Sequence, residues 1–391
     1  MGPHALPLAA LLALVVLLHL PFVNRAVQSD DVNYVDLAEN ALKRPLAPHD
    51  LPYIFQGKRV DMAGHPHPPL NAYLLAAVWK VHGRFSERFF HVAYLVFPLS
   101  AAMAMYFLAA RFCRRPWTAA AIFATAPAVQ VVSHSLESDS PTLAFGLAGI
   151  TLFISEVDTQ RAWKLWAGGV ALSLAALGAL QALFLLPVAA VYLWLHRPAE
   201  GRWRWAAVAA CGLPPVVLVA WQLLQAVLIG RLPAAVLGGY MVSRGYLAAS
   251  LKLLNFLALT QHAAVLAVFL PVLVVVLWRY LPRGGALLPL AAGALPAWQS
   301  EGYRGFERFM FFAFFAAGLM LLAALTALAL AERETQDTRF LAAWFLLYFA
   351  ACLAAFFAGA ARYLCRACRP WCCFVCVCWS RGRRPGGKRW R

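Results

Sequence analysis

The stretch that decides the fold is the apolar run 5–23, ALPLAALLALVVLLHLPFV, together with Ser29-Asp30-Asp31-Val32-Asn33-Tyr34 a few residues later. A run of about 20 apolar residues is long enough for a helix to cross the hydrocarbon core of a bilayer. We expect 5–23 to be an uncleaved first span, because Met1–His4 has no positive region and no small-residue cleavage site follows. The two adjacent carboxylates are costly beside lipid, so they belong either to a solvated loop or to a reactive site.

Composition extends this prediction to the whole chain. Of the 391 residues, 62% are hydrophobic and 13% are charged, and the mean hydropathy is +0.67. In soluble proteins about a quarter of all residues are charged. In lipid the backbone can satisfy its polar groups only in helices or closed barrels, and the alternating pattern of a barrel is absent from the sequence. We therefore predict an all-α polytopic membrane protein.

Further apolar runs divide the chain into spans. The run 165–195 is too long for one helix, and Gly178-Ala179-Leu180-Gln181 at its centre predicts a turn between two short spans. With that division the sequence predicts about 11 transmembrane helices. The other runs lie near 88–110, 117–132, 141–155, 206–228, 257–280, 285–299, 309–331 and 340–360.

Cationic connectors predict which loops share a side of the membrane. Short loops rich in arginine follow the runs ending near 110, 195 and 280, and such loops face the cytoplasm. The large first loop 24–87 and the short link 133–140 then both lie on the exoplasmic side. Within the first loop we expect a surface helix over 31–43, capped by Ser29 or Asp30, and an amphipathic segment near 70–82.

The formal charge of +17 indicates no nucleic-acid partner. Nine Lys or Arg and no acid fall in 362–391, which is more than half of the excess. The sequence contains no folded, accessible domain with a basic face, which nucleic-acid binding requires. The expected environment is the lipid bilayer.

Four short motifs occur in order along the chain: Asp30-Asp31-Val32-Asn33-Tyr34, His67-Pro68-Pro69-Leu70, Glu137-Ser138-Asp139-Ser140-Pro141 and Ala361-Arg362-Tyr363-Leu364. This series resembles the GT-C superfamily of polyprenyl-phosphate-sugar-dependent glycosyltransferases. Within it, the branch with protein O-mannosyltransferases and lipid A aminoarabinose transferases is the most similar. The resemblance covers most of residues 1–364, which we expect to form one transmembrane glycosyltransferase domain.

The resemblance implies a reaction and its residues. A sugar would leave a polyprenyl-phosphate donor and pass, with inversion, to an exoplasmic lipid, glycan or protein acceptor at a bacterial-type cytoplasmic membrane. An acceptor hydroxyl needs a carboxylate within about 3 Å to take its proton. Asp30 is the expected base or acceptor-orienting residue, and Asp31 and Asp139 are the other expected catalytic residues. Tyr34, His67 and Glu137 would contact substrate.

A divalent cation and a set of basic side chains are further expectations. Asp139 would either complete an Mg²⁺ or Mn²⁺ site with Asp30 or position that first acid, since hard oxygen ligands suit these ions. The departing phosphate needs cations. The available donors are Lys58, Arg59, Arg244, Arg304 and Arg308, for which interfacial anchoring beside Tyr240, Tyr246 and Tyr303 is the alternative.

Other polar residues have simpler interpretations. His65 and His67 could chelate a metal, but no third soft ligand is near in sequence, and we expect them to shape the loop. Asp36 and Glu39 should form the solvated face of the surface helix. Gln181 and the Gln261-His262 pair are expected to make hydrogen bonds between helices.

The segment 365–391 departs from this pattern, because six of the nine cysteines fall between Cys365 and Cys378. Cys365-Arg366-Ala367-Cys368 is half of a zinc site, whereas a structural site needs four ligands. Our hypothesis is that a frameshift replaced the final span or spans with a disordered tail. The gene sequence tests it.

A non-catalytic membrane transporter or lipid-handling protein is the alternative function. Transporters place ionisable groups near the bilayer midplane and often contain internal repeats. Here the acids lie at the predicted outer rim and no repeat is present, which favours the enzyme.

Overall fold

The computed structural model describes residues 4–55, 57–159, 162–196, 201–245, 248–265, 305–332 and 334–355. Six helical segments in this part of the chain are long and apolar enough to cross a membrane: Ala5–Phe22, Glu87–Phe112, Asp139–Val157, Trp205–Ile229, Phe306–Leu330 and Gln336–Ala355. The prediction of a polytopic helical membrane protein is therefore confirmed. The count of about 11 spans stays a prediction, because the run 285–299 and most of 257–280 lie outside the described residues. The Ala361–Leu364 motif and the segment 365–391 also lie outside them.

Almost every described element is a helix. In chain order they are α1 Ala5–His19, α2 Asp31–Lys43, α3 Leu70–His82, α4 Glu87–Tyr94, α5 Val96–Phe112, α6 Pro116–Thr125, α7 Pro127–Ser133, α8 Asp139–Thr159, α9 Ala162–Gly178, α10 Leu185–Leu195, α11 Gly201–Ile229, α12 Pro233–Ser243, α13 Ala249–Val265, α14 Phe306–Leu330 and α15 Gln336–Ala355. Short 3-10 turns cover Leu20–Phe22, Met62–Gly64 and Leu180–Phe184.

These elements fall into two compact units. The first unit comprises the described residues of 9–104 and 130–251, and the second those of 4–8, 105–129 and 252–355. The first unit holds both predicted exoplasmic loops. In the second unit, Arg111 at the end of α5 forms a 3.1 Å ion pair with Asp337 in the first turn of α15.

The first loop contains the two predicted helices. Helix α2 buries Tyr34, Leu37, Ala38 and Ala41, a spacing that places one apolar face against the protein. Asp36 and Glu39 are exposed on the same helix, as expected. Helix α3 covers the predicted amphipathic segment and ends at Gly83, whose φ of 79° is the left-handed cap conformation.

A small β-hairpin lies between these helices, which the all-helical prediction did not include. Strands β1 Pro52–Phe55 and β2 Lys58–Asp61 pair antiparallel, with Pro52 opposite Asp61. Gly57 in the connecting turn has φ of 72°, a conformation that glycine adopts without a steric penalty. The sequence signal was the β-favouring run 53–55 followed by a glycine.

Two predicted runs are broken into shorter helices. The turn predicted at 178–181 is present, since α9 ends at Gly178 and a 3-10 turn begins at Leu180. The run 117–132, predicted as one span, is divided into α6 and α7. Proline has no backbone N–H and disfavours helical conformation in the residue before it. Ala126, which precedes Pro127, is accordingly extended, with φ of −61° and ψ of 129°.

Helices α8 and α9 pack closely because each contributes a glycine at their crossing. A Cβ on Gly168 would come within 3.0 Å of the carbonyl oxygen of Gly149, and a Cβ on Gly149 within 3.0 Å of the Gly168 oxygen. Small residues at such a crossing let two membrane helices bring their backbones together. This contact holds the start of α8, where Asp139 lies, beside the end of α9.

Candidate functional site

The adjacent acids Asp30 and Asp31 occupy different environments. Asp30 is the N-cap residue of α2 and Asp31 its first helical residue. Successive helical residues point about 100° apart. Asp31 is 1% exposed, whereas Asp30 is only partly buried. The pair therefore supplies one buried and one accessible carboxylate.

Asp31 connects the first loop to the second. Its Oδ1 accepts a 2.8 Å hydrogen bond from the backbone N–H of Leu136. The carbonyl of the same residue accepts a 2.9 Å bond from Nδ2 of Asn71, and Tyr94 donates its hydroxyl to Oδ1 of Asn71 at 2.8 Å. Both polar groups of the Leu136 backbone are thus held by buried side chains. This arrangement fixes the position of the segment 136–139.

Burial also affects the charge of Asp31. Desolvation raises the pKa of its carboxyl group, and the bond from Leu136 and the charges of Arg25 and His91 act in the opposite direction. Its Oδ2 has no hydrogen-bond partner among the described residues. The side chain is enclosed, so its role in the geometry is to position the second loop.

His67 makes a second connection between the loops. Its Nδ1 lies 2.7 Å from Oγ of Ser138, and the Ser138 hydroxyl lies 2.6 Å from the carbonyl oxygen of Gly178. The His67 carbonyl in turn accepts a 3.0 Å bond from Nε2 of His49. His67 is partly exposed and Ser138 is fully buried. The imidazole is therefore anchored from its buried side.

Residue 178 is a glycine at a point where a neighbouring residue leaves no room for a side chain. A Cβ on this residue would lie 2.3 Å from Oγ1 of Thr142, much closer than real Cβ contacts. Thr142 itself donates to the carbonyl of Ser138 at 2.6 Å. The end of α9 and the start of α8 thus meet at a position that admits no side chain.

Tyr34 packs beneath the two loop histidines. It is 3% exposed, and its ring centroid lies 5.7 Å from that of His65 and 5.9 Å from that of His67, both edge-on. The two histidine rings lie 5.1 Å apart. His65 and His67 therefore pack on α2 as the loop-shaping interpretation predicted, and Tyr34 contacts the site through its ring.

Asp139 is held by the predicted turn between α9 and α10. Nε2 of Gln181 donates a 2.9 Å hydrogen bond to its Oδ1, and the Asp139 residue is 5% exposed. The expectation that Gln181 bonds between helices is confirmed. Glu137, two residues earlier, is only partly buried. The second loop therefore also presents one accessible and one enclosed acid.

Asp30 lies in a constrained part of the backbone. Ser29, directly before it, has φ of 56°, and it alone among the described non-glycine residues has a positive φ. The Asp30 side chain makes no capping hydrogen bond to the described part of α2. Asp30 also acts electrostatically on Tyr53 of the hairpin. Burial, together with Tyr240 and Asp30, raises the pKa of the Tyr53 hydroxyl to about 12.

The cations proposed from sequence are distributed unevenly. Arg59 is exposed on β2 and Arg308 is exposed on α14 of the second unit. The guanidinium of Arg244 lies 5.3 Å from the ring centroid of Tyr240, as the anchoring alternative expected. Arg304 and the side chain of Lys58 lie outside the described part of the chain.

Two arginines that the sequence analysis did not single out contact residues of the loops. Arg25 donates to the carbonyl of His134 at 3.4 Å and acts electrostatically on Asp31. Arg231, which follows α11, forms ion pairs with Asp50 at 2.9 Å and with Asp61. Arg231 therefore connects the hairpin region of the first loop to the end of α11.

The divalent-cation expectation stays a prediction for the described residues. Within them, no three His, Cys, Asp or Glu side chains are grouped so that they could hold a metal ion. Asp139 instead directs Oδ1 to the Gln181 amide. This bond holds the Asp139 carboxylate in place, and whether Asp139 completes a metal site or positions Asp30 stays a prediction.

Sequence reasoning missed the residues that assemble the site. The second loop is bound by Asn71, which Tyr94 holds in place, and by the carbonyl of Gly178. None of these three residues lies in a charged pattern or in one of the four motifs. Asn71 directly follows the Pro-Pro-Leu step, which was the one available signal. Asn71 binds a backbone carbonyl and Gly178 provides one, and a pattern of side chains cannot reveal contacts that backbone groups make.

Comparison with known proteins gives structural similarities only. No protein-family model matches the chain, and no curated protein is significantly similar to it. Solved structures similar to it include ArnT from Cupriavidus metallidurans bound to undecaprenyl phosphate, with 15% identity, 96% of this chain and 77% of that chain covered, and a TM-score of 0.44. The structure of the same protein in the apo state has 15% identity to this chain and a TM-score of 0.45. That match covers 95% of this chain and 76% of the other.

A second similar structure is the archaeal oligosaccharyltransferase AglB from Archaeoglobus fulgidus, in complex with an inhibitory peptide and a dolichol-phosphate. Its identity is 13%, the match covers 99% of this chain and 56% of that chain, and the TM-score is 0.42. At these identities no residue role is transferred, and the site rests on the contacts described above.

Proposed function

We propose that the protein is an integral membrane glycosyltransferase that moves a sugar from a polyprenyl-phosphate donor to an acceptor at the exoplasmic face of a cytoplasmic membrane. The observation that carries the proposal is the joining of the two loops by one buried and one partly buried hydrogen bond. Asp31 binds Leu136 and His67 binds Ser138, although these partners are 105 and 71 residues apart in sequence. These bonds connect the first three motifs of the series within the first unit, and the fourth motif, Ala361–Leu364, lies outside the described residues.

The burial of the acids supports a division of roles. Asp30 is the accessible acid of the adjacent pair, and it either takes the proton of the acceptor hydroxyl or orients that hydroxyl. Asp31 and Asp139 are enclosed and bonded, so they position the two loops. Tyr34 supports the histidines, and Glu137 presents a second accessible acid beside Ser138.

The departing lipid phosphate requires a positive partner. Arg59 is exposed on the hairpin of the same loop, and Arg244 lies beside Tyr240. Tyr240 and Asp30 both help to raise the pKa of the Tyr53 hydroxyl in that hairpin. We assign the phosphate to this side of the first unit, with Lys58 as a further donor. Direct attack by the acceptor on the sugar carbon would invert its configuration, as expected from the resemblance.

The test is sugar transfer by the purified full chain in proteoliposomes. The donors are undecaprenyl-phosphate-linked mannose and aminoarabinose carrying a radiolabel, and membrane extract supplies acceptors. We expect label to leave the lipid donor only when the protein is present, and Asp30→Asn to lower the rate by about 100-fold or more. The matched control is Asp36→Asn, which removes an exposed acid from the outer face of the same helix.

The outcomes separate the possibilities. Transfer at the wild-type rate by Asp30→Asn would remove Asp30 from the mechanism. Movement of labelled lipid or sugar across the bilayer without transfer would indicate the transporter alternative. If neither donor supports transfer by the wild-type protein, the proposed function is wrong for these sugars and for the class of donor they represent.

A further inference from the structure

Four exposed tryptophans lie near the ends of the helices that follow the second loop. Trp163 and Trp166 are in the first two turns of α9. Trp194 is next to the last residue of α10, and Trp205 is in the second turn of α11. These residues are between 44% and 74% exposed. On a membrane protein such side chains are favourable at the headgroup level, because the indole ring is apolar and its N–H is polar.

Packing brings these four residues to one end of the first unit. Helix α8 packs on α9, α9 packs on α11, and α10 packs on α8. Helix α8 runs from Asp139 toward the tryptophans, and α9 runs back from them to Gly178. At that opposite end Gln181 binds Asp139. The first unit therefore has the tryptophans at one end and the enclosed acid of the second loop at the other.

The separation of the two ends matches a bilayer. Helix α8 has 21 residues, which correspond to about 30 Å at the rise of an α-helix. The hydrocarbon core of a bilayer is also about 30 Å thick. Trp79 and Trp221, the other tryptophans of this unit whose side chains are described, are partly or fully buried. Between the two ends the exposed side chains include aliphatic ones that suit lipid tails: Val170 of α9 and Val208, Val216 and Val219 of α11.

The connectors at the tryptophan end are basic. Residues 158–164 and 196–205 together carry five Lys or Arg and two acids. Nζ of Lys164 lies 5.9 Å from the centroid of the Trp163 ring and 3.4 Å from Oγ of Ser155. Basic side chains beside a membrane attract anionic lipid headgroups. The chemistry of this end therefore fits phospholipids that carry a net negative charge.

We propose that these four tryptophans form an anchoring belt in the headgroup region of the leaflet opposite Asp139, and that Lys164 makes the belt selective for anionic phospholipids. The belt fixes the depth of the first unit, so that Asp139 and Gln181 lie at the other surface of the bilayer. This inference goes beyond the proposed function, because lipid binding requires neither a sugar donor nor transfer.

The first experiment locates the belt by fluorescence quenching. The full chain is placed in vesicles that contain phosphatidylcholine brominated either near the headgroup or near the chain end. The belt signal is the difference in fluorescence between the wild type and a variant in which all four tryptophans are changed to Phe. We expect bromine near the headgroup to quench this signal more strongly. The matched control is Trp221→Phe, which removes a buried tryptophan of α11 and should leave quenching by lipid unchanged.

The second experiment assigns the leaflet. Phosphatidylcholine brominated near the headgroup is exchanged into the outer leaflet alone. The vesicles are those in which the protein is oriented so that Ser29→Cys reacts with an impermeant maleimide from outside. We expect the belt signal to be unaffected in these vesicles and to be quenched when both leaflets contain the brominated lipid.

The third experiment tests the class of lipid. Brominated phosphatidylglycerol and brominated phosphatidylethanolamine compare an anionic with a zwitterionic headgroup. We expect half-maximal quenching of the belt signal at a lower fraction of phosphatidylglycerol. Lys164→Gln should raise that fraction by about fivefold. Lys164→Arg keeps the charge and should retain the wild-type fraction.

Each measurement can overturn the inference. Equal quenching by bromine at the two depths would place the tryptophans outside the headgroup region. Quenching from the leaflet beside residue 29 would put the belt on the same side as the first loop. Equal fractions for the two headgroups, or no change in Lys164→Gln, would exclude selectivity for anionic lipid.

The design also covers an unstable variant and a failure of the proposed function. If the variant with four substitutions does not fold, the four single Phe variants supply the same difference signal. No readout depends on sugar transfer. An absence of transfer would therefore contradict the proposed function alone, whereas the quenching results alone decide the belt.

Discussion

Oδ1 of Asp31 lies 2.8 Å from the backbone nitrogen of Leu136, which joins the start of α2 to the segment before α8. Leu136 is fully buried, and its carbonyl is bound by Asn71. A buried N–H without a partner costs about 1–3 kcal/mol. The bond is therefore a structural reason for the acid at position 31, separate from any role of its neighbour.

We predict that Asp31→Ala destabilises the protein by about 1–3 kcal/mol, because the Leu136 N–H would be left unpaired. Asp31→Asn should cost less, since its amide oxygen can accept the same bond. Thermal unfolding in detergent, followed by circular dichroism, measures both. Equal melting temperatures for Asp31→Ala and the exposed-site control Asp36→Ala would contradict this account.

Gly178 offers a test of the close approach between α8 and α9. Gly178→Ala should destabilise by about 1–3 kcal/mol, because its Cβ would overlap Oγ1 of Thr142 at 2.3 Å. Thr142→Ala removes that atom, so the double variant should recover part of the loss. A double-mutant cycle of unfolding free energies measures the coupling. Additive effects of the two substitutions would show that the contact is not the cause.

His49 predicts how stability depends on pH. Burial lowers its pKa from the ordinary 6.5 to about 4. Between these values the unfolded chain binds a proton that the folded chain does not, so stability is complete above about pH 6.5 and falls as the pH decreases toward 4. The slope contributed by one such group is at most about 1.4 kcal/mol per pH unit.

The variant His49→Gln checks this assignment, because glutamine can still donate to the His67 carbonyl but does not titrate. Melting temperatures measured from pH 8 to 4 should fall less steeply in His49→Gln than in the wild type. His82→Gln, at the partly buried end of α3, serves as the comparison. An unchanged slope in His49→Gln would exclude His49 as the origin of the acid sensitivity.

The two loops must open to the same compartment if the proposed function is right. Ser29 is exposed and Glu137 is partly exposed, so Ser29→Cys and Glu137→Cys suit labelling with a membrane-impermeant maleimide. In intact cells we expect both to react, after subtraction of the signal from the native cysteines. Labelling of one in intact cells and of the other only in inverted vesicles would reject the shared exoplasmic face.

Local sequence patterns were sufficient for most helices of the first unit. The cap residues Ser29 and Asp30 marked the start of the helix expected over 31–43, and the length of the run 165–195 predicted the break after Gly178. The hairpin at 52–61 and the break at Pro127 were missed, because short elements depend on turn geometry more than on hydropathy. These are features of a few residues that an apolar window averages out.

The sequence by itself determined that this chain is a polytopic helical membrane protein with acids beside its first span, because hydropathy and charge act residue by residue along the chain. Only the tertiary structure decided that Asp31 and Asp139 are enclosed while Asp30 remains accessible. It also decided the partners Leu136, Ser138 and Gly178. The physical reason is that burial and hydrogen bonds to distant backbone groups arise from packing, which no local pattern specifies.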